Sequence, residues 1–274
     1  MKKNPITYPY ILWMVIFTVV PLALILVYSV FTMDSSGIGF TLQHIKRVFE
    51  PLYLVVLLRS IRLAVVSTVI CLVLGYPVAM ILAERHLSKK SILIVLFVIP
   101  MWMNFLARTY AWMTLLEKNG LINTALGAIG LPAINILYTD NAVILGMVYN
   151  FLPFMVLPIY SVLRKIDSAV IEAAEDLGAT PVTTFRRVIF PLSLPGVMSG
   201  ITMVFMPAVT TFVISRLLGG GQYTLIGNLI EQQFLTTRDW GFGSSLSFIL
   251  MIFILLTMGI MSRYEKDNEG GGLW

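Results

Sequence analysis

Long apolar intervals free of charge alternate with short polar stretches along the whole chain. A helix that crosses a hydrocarbon core takes about 20 largely apolar residues. Intervals suited to that length lie at 11–31, 63–83, 91–107, 141–163, 188–215 and 240–262. Each predicts one transmembrane helix, so the expected architecture is an all-α membrane protein with six spans in a single transmembrane domain, 1–274. Two further uncharged stretches are too broken to span. Residues 119–139 contain Gly120, Asn123, Gly127, Gly130, Pro132 and Asn135, and residues 217–230 contain Gly219, Gly220 and Gly221. Irregular backbone of that kind is tolerated at membrane depth only when buried in protein or lining water, so both are expected as interfacial or re-entrant loops.

Composition agrees with this pattern. The chain has 274 residues, 58% apolar and 12% charged, with a mean hydropathy of +0.87. Soluble domains carry about twice that charged fraction. The net charge of +5 reflects basic residues at one membrane face rather than nucleic-acid binding, because no basic cluster with interleaved aromatics occurs. The single cysteine, Cys71, excludes a disulfide within the chain. His44 and His86 lie far apart, without metal-ligand spacing. Lys2 and Lys3 precede an apolar run that continues to Thr32, too long for the apolar core of a signal peptide, so it is expected to remain as the first span.

Six spans put both termini on one side. With the termini in the cytoplasm, Lys2, Lys3, Arg85, Lys89, Lys90, Arg164, Lys165, Arg186, Arg187, Arg263 and Lys266 fall inside, against the other eight of the 19 Lys and Arg. The bias is small, but the rule weights short loops and helix ends, and the 84–90 turn is short and basic.

The loop 164–187 between spans four and five then carries the most specific signal. From Ile171 to Gly196 it reads IEAAEDLGATPVTTFRRVIFPLSLPG. Asp167 or Ser168 can cap a first short helix, and Gly178 sits where a left-handed residue would end it. Thr180 can cap a second helix with Pro181 at its first position, where a missing N–H costs nothing. The small residues Ala173, Ala174 and Ala179 permit close backbone approach to a partner, and Glu172 adds a directional charge. By helix physics alone, an ordinary amphipathic cytoplasmic loop fits equally well.

The literal pattern goes further. E-A-A, three residues, G, nine residues and then V-I-F-P resembles the EAA loop of binding-protein-dependent ABC importer permeases, with Glu172, Ala173, Ala174, Gly178 and Pro191 matching position by position. The resemblance implies a six-helix type I importer permease. In such permeases this loop docks, as a coupling helix, in a cytoplasmic ATPase. On that basis Glu172, Ala173, Ala174, Gly178 and Ala179 are the expected ATPase-coupling residues, and the loop is inside. The chain has no G-x-x-x-x-G-K-[ST] phosphate loop, so it carries no cofactor of its own, and ATP and Mg belong on partner subunits.

Other blocks are similar to the B-type permeases of spermidine/putrescine importers: EPLYLVVLLRS (50–60), CLVLGYPVA (71–79), LPFMVLPIYS (152–161), LIGNLI (225–230) and TRDWGFG (237–243). This likeness runs from about residue 10 to 262. It implies a homologous second permease, two cytoplasmic ATPase subunits and an extracytoplasmic polyamine-binding protein as partners.

A polycation needs carboxylates, carbonyl dipoles or aromatic faces along its path. No Asp or Glu lies inside the six expected spans. The candidate pathway residues are therefore Trp102, Asn104, Tyr110, Tyr149, Asn150 and Asp239. Each has a plainer reading: an interfacial anchor for Tyr110 and its neighbour Trp112, packing for Trp102, a helix–helix hydrogen bond for Asn150 and a helix cap for Asp239. Arg108 and Arg216 are expected to snorkel at outer span ends. A different small solute stays open. A secondary transporter would call for intramembrane ionisable residues, which are lacking, and no constellation for a membrane enzyme is visible.

Overall fold

The computed structural model describes residues 7–34, 37–84, 90–221 and 224–269. Expectations placed on Lys2, Lys3, Arg85, His86, Lys89 and the tail from Gly270 to Trp274 fall outside those residues.

The first span is α1 (Thr7–Met14), a π-helical turn (Val15–Val19) and α2 (Val20–Val30). The apolar window within its 23 residues, Tyr8–Val30, has no part buried inside the chain. A short hairpin follows, with the only strands among the described residues. Strands β1 (Phe31–Asp34) and β2 (Gly37–Phe40) pair antiparallel with Phe31 opposite Phe40. A short helix α3 (Gln43–Val48) leads into α4 (Pro51–Ala83).

Helix α4 starts at Pro51, well before the expected 63–83 interval. Arg59 and Arg62 cut the hydropathy window but not the helix, because arginine is a good helix former. The Arg59 guanidinium lies 2.6 Å from Asp140, at the first turn of α8.

The expected third span, 91–107, is corrected. Helix α5 (Lys90–Trp102) stops, and α6 (Phe105–Leu116) departs at 94°. Pro100 lies inside the last turn of α5, and Asn104 accepts from the N–H groups of Leu106 and Ala107 at 2.8 and 3.3 Å. That cap starts a new helix rather than extending the old one. Among the described residues, five helices are long and apolar enough to cross a membrane, or six if the bent pair counts as one span.

Beyond it run α7 (Leu121–Ala128), α8 (Asp140–Leu163), α9 (Ser168–Asp176) and α10 (Pro181–Thr184). A π-helical turn (Phe185–Ile189) then feeds α11 (Phe190–Thr210). The expected fifth interval, 188–215, also divides: Thr211 is extended (φ −62°, ψ 138°), and α12 (Val213–Leu218) is separate. Gly220 and Gly221 follow with φ of +62° and +71°. The 217–230 stretch, expected as loop, then forms most of α13 (Ile226–Gln232). Its start is held by the Ile226 N–H, which donates to the Ser60 hydroxyl of α4 at 2.8 Å. A π-helical turn (Gln233–Thr237) precedes α14 (Trp240–Glu269).

Helices α4, α8 and α11 form the core. Along α4, Ala64, Thr68, Cys71, Gly75 and Ala79 are all buried and recur every three or four residues, one stripe of a helix. Lipid is as apolar as leucine, so close packing of small residues replaces the hydrophobic drive between helices. Met155 of α8 sits at the junction. A Cβ on Gly75 would lie 3.1 Å from its Cγ, and one on Gly200 would lie 2.8 Å from its Sδ.

Candidate functional site

The loop after α8 is built from local capping. Asp167 accepts from the Ala169 N–H at 3.1 Å and starts α9. At the other end Gly178 adopts φ +79°. The Gly178 N–H then reaches the Glu175 carbonyl at 2.8 Å, and the Ala179 N–H reaches the Ala174 carbonyl at 3.0 Å. This pair of bonds is a Schellman closure, and a left-handed residue at Gly178 makes it possible. Thr180 caps α10, accepting from the Thr183 N–H at 3.4 Å, with Pro181 in the first turn.

No residue of α9 is buried. Glu172 and Ala173 are exposed, and Ala174 and Ala179 are half-buried. Two further residues stand out. Leu177 is 89% exposed and Val182 is 69% exposed, flanking the Gly178 turn. Sequence reasoning passed over both, although apolar residues on either side of a turn glycine, where polar ones are usual, were a readable signal. Together they give the tip of the loop an apolar surface that none of the described residues covers.

The pathway candidates do not converge. Trp102 is 86% exposed at the α5–α6 break, and the adjacent Asn104 is occupied as the α6 cap. Tyr110 is exposed on α6. Tyr149 meets Trp112 edge-on at 5.3 Å, joining α8 to α6. Its neighbour Asn150 points to a different face and is buried. The Asn150 amide donates to the Gly146 carbonyl one turn back at 2.9 Å, so the expected helix–helix bond is instead intrahelical. Its Oδ1 has no partner among the described residues.

Asp239 is accounted for by structure. Its Oδ1 accepts from the Phe242 N–H at 3.0 Å, capping α14, and its Oδ2 pairs with Arg47 at 2.9 Å. Arg47 also lies over the Phe242 ring, 4.2 Å from its centroid. Partial burial opposes the charge on Arg47, but Tyr53 and Asp239 outweigh it and raise its pKa. Asp140 with Arg59 and Glu231 with Arg216 are paired likewise. A compensated carboxylate is a weak lure for a cation. An exposed pair of this kind is worth roughly 0–1 kcal/mol, so Asp239→Asn, which keeps a capping oxygen, should leave the thermal melting midpoint of the detergent-solubilised chain nearly unchanged. A clearly lowered midpoint would mean that the pair with Arg47 holds α14 in place.

Arg108 corrects another expectation. It does not snorkel: it is 8% exposed, and its Nε has no hydrogen-bond partner among the described residues. The 94° bend carries α6 across α12 and α8, turning Arg108 towards protein. Arg216, by contrast, is exposed and paired with Glu231.

A family model described as "Binding-protein-dependent transport system inner membrane component" matches residues 64–268. The spermidine/putrescine transport system permease protein PotB of Escherichia coli (strain K12) is 42% identical over 260 residues, covering 93% of this chain and 94% of that one. PotB of Haemophilus influenzae is 39% identical over 259 residues, covering 93% and 91%. Among solved structures, a bacterial alginate ABC transporter in complex with its alginate pentasaccharide-bound periplasmic protein has a chain that superposes with a TM-score of 0.79. The superposition covers 95% of this chain and 94% of that one at 17% identity, a likeness of fold alone.

Proposed function

The chain belongs to the binding-protein-dependent transport system inner membrane component family, and we propose that it forms one transmembrane half of an ATP-driven polyamine importer. It is a multi-pass inner-membrane permease subunit rather than a catalytic one. Identity of 42% to a spermidine/putrescine permease along nearly the full length of both chains is the observation that carries the cargo.

The loop 164–187 is the proposed coupling element, on the cytoplasmic side with both termini. Its support is local: a helix capped at both ends, ending in the exposed apolar pair Leu177 and Val182 around Gly178, presents a rigid knob that a groove on an ATPase can cover. Glu172, Ala173 and Ala174 lie along the same short helix. ATP and Mg bind on the two partner ATPase subunits, whose closure draws the coupling loops of this chain and a homologous second permease together. The pair then opens outward beneath a loaded extracytoplasmic polyamine-binding protein. Hydrolysis reverses the motion and releases cargo inside. Weak neutral contacts along the path suit release, because cargo held tightly in the pore would not leave.

Co-purification tests the assembly. Tagged chain expressed with untagged ATPase and second permease should retain the ATPase through detergent washing. Replacing Leu177 and Val182 together with Asp should strip it away while the two permeases stay paired. Wild-type chain eluting free of ATPase would overturn this reading.

A further inference from the structure

The proposed coupling helix hardly touches the membrane core. Helix α9 packs on α10 and on the Phe185–Ile189 turn. Beside it an open groove of about 430 Å³ is lined by Pro77, Met80 and the Glu84 end of α4, by Leu163 and Ile166 after α8, and by Ile171 of α9. Among the described residues, the main packing of α9 is thus on α10 and that turn, and the most direct path for a push on α9 runs through the π-helical turn and into α11.

At that joint stands one side chain from α4. The Tyr76 ring, 8% exposed, meets Phe185 edge-on at 5.8 Å and Phe190 at 5.9 Å, and those two rings lie 6.1 Å apart. The Tyr76 hydroxyl lies 2.8 Å from the Ser193 hydroxyl, which itself donates to the Phe190 carbonyl at 2.8 Å. A serine hydroxyl has one proton, so the Tyr76 hydroxyl is the donor to Ser193. Tyr76 thus holds both ends of the segment that leaves the coupling loop: Phe185 by its ring, and the first turn of α11 by its ring and hydroxyl. The adjacent Gly75 packs on Met155 and Val156 of α8, which fixes that part of α4 in the core.

We propose that Tyr76 is the positioning residue that transmits displacement of the coupling loop to α4 and so to the core of the permease. The role rests on α9 being the ATPase contact. Pro77, inside α4, lacks the N–H that would bond the Val73 carbonyl one turn back. The helix is therefore one backbone bond short beside Tyr76 and can yield there when the ring is pushed.

The test is the ratio of solute taken up to ATP hydrolysed, measured in one preparation of proteoliposomes holding the full importer with its binding protein. Tyr76→Phe removes the bond between the two hydroxyls and should lower the ratio roughly two- to tenfold; Ser193→Ala removes that bond and also the one to the Phe190 carbonyl, and should lower it at least as much. The double variant should be no worse than Ser193→Ala alone, because that variant already lacks the shared bond. Tyr76→Ala, which also loses the ring, should lower it more than about tenfold while ATP hydrolysis continues. An unchanged ratio in Tyr76→Ala, or uptake and hydrolysis falling in equal proportion with Phe restoring neither, would overturn the role of Tyr76 alone. Wild-type importer with no ATP-dependent uptake would overturn the transport reading itself.

Discussion

Gly178→Asp should lower ATP-dependent uptake by more than about tenfold, the change that 1.4 kcal/mol produces in an equilibrium, whereas Gly178→Asn should retain most of it. The two side chains have the same shape, and both tolerate the left-handed backbone better than other non-glycine residues. The φ of +79° at Gly178 therefore strains them alike. They differ in charge. Asp adds a carboxylate at the C-terminal end of α9, where the helix dipole is already negative, next to Asp176 and between the exposed Leu177 and Val182. A surface closed over that turn would bury the charge without a partner, which is strongly destabilising. Uptake by reconstituted importer, with ATPase retention measured alongside, separates the outcomes. Equal activity of the Asp and Asn variants would mean that the turn does not dock.

Gly196→Leu should disrupt the packing of the core helices α8 and α11. A Cβ at Gly196 would lie 2.9 Å from the Pro158 carbonyl oxygen and 3.1 Å from the Ile159 Cα. Those are backbone atoms of α8, which cannot rotate aside. The helices have to separate, at about 1–3 kcal/mol or more for overpacking, and the contacts around Met155 loosen with them. Gly259→Leu is the matched control, since nothing lies within 4 Å of a Cβ there. Thermal melting of the detergent-solubilised chain should show a clearly lowered midpoint for Gly196→Leu and little change for Gly259→Leu.

Elements set by local rules were readable from the sequence. The Asp167 and Thr180 caps, the Gly178 terminus and Pro181 in a first turn each depend on a few neighbouring residues, and each is found as expected. The apolar intervals located the helices because hydropathy reports on the surrounding solvent. Ends and breaks were less legible. Arg59 and Arg62 shortened the apolar window without ending α4, since a helix continues past the membrane boundary wherever a charge finds a partner, as Arg59 does in Asp140. The turn at Asn104 needed Pro100 and a capping amide acting together, and no average over about twenty residues resolves that. Long-range pairing was invisible: nothing in the sequence joins Arg47 to Asp239 or Tyr76 to Ser193. For that reason the candidate pathway residues, chosen one by one for their chemistry, turned out to be spread among a helix break, an aromatic contact, a buried amide and a neutralised cap.

The proposed coupling through the loop around Gly178 is tested by uptake of labelled spermidine into proteoliposomes, with ATP and the ATPase subunits on the loop side and the binding protein on the other. Uptake should require ATP and the binding protein together, and Gly178→Asp should lower it by more than about tenfold. Uptake that proceeds without ATP, or that Gly178→Asp leaves intact, would contradict the coupling.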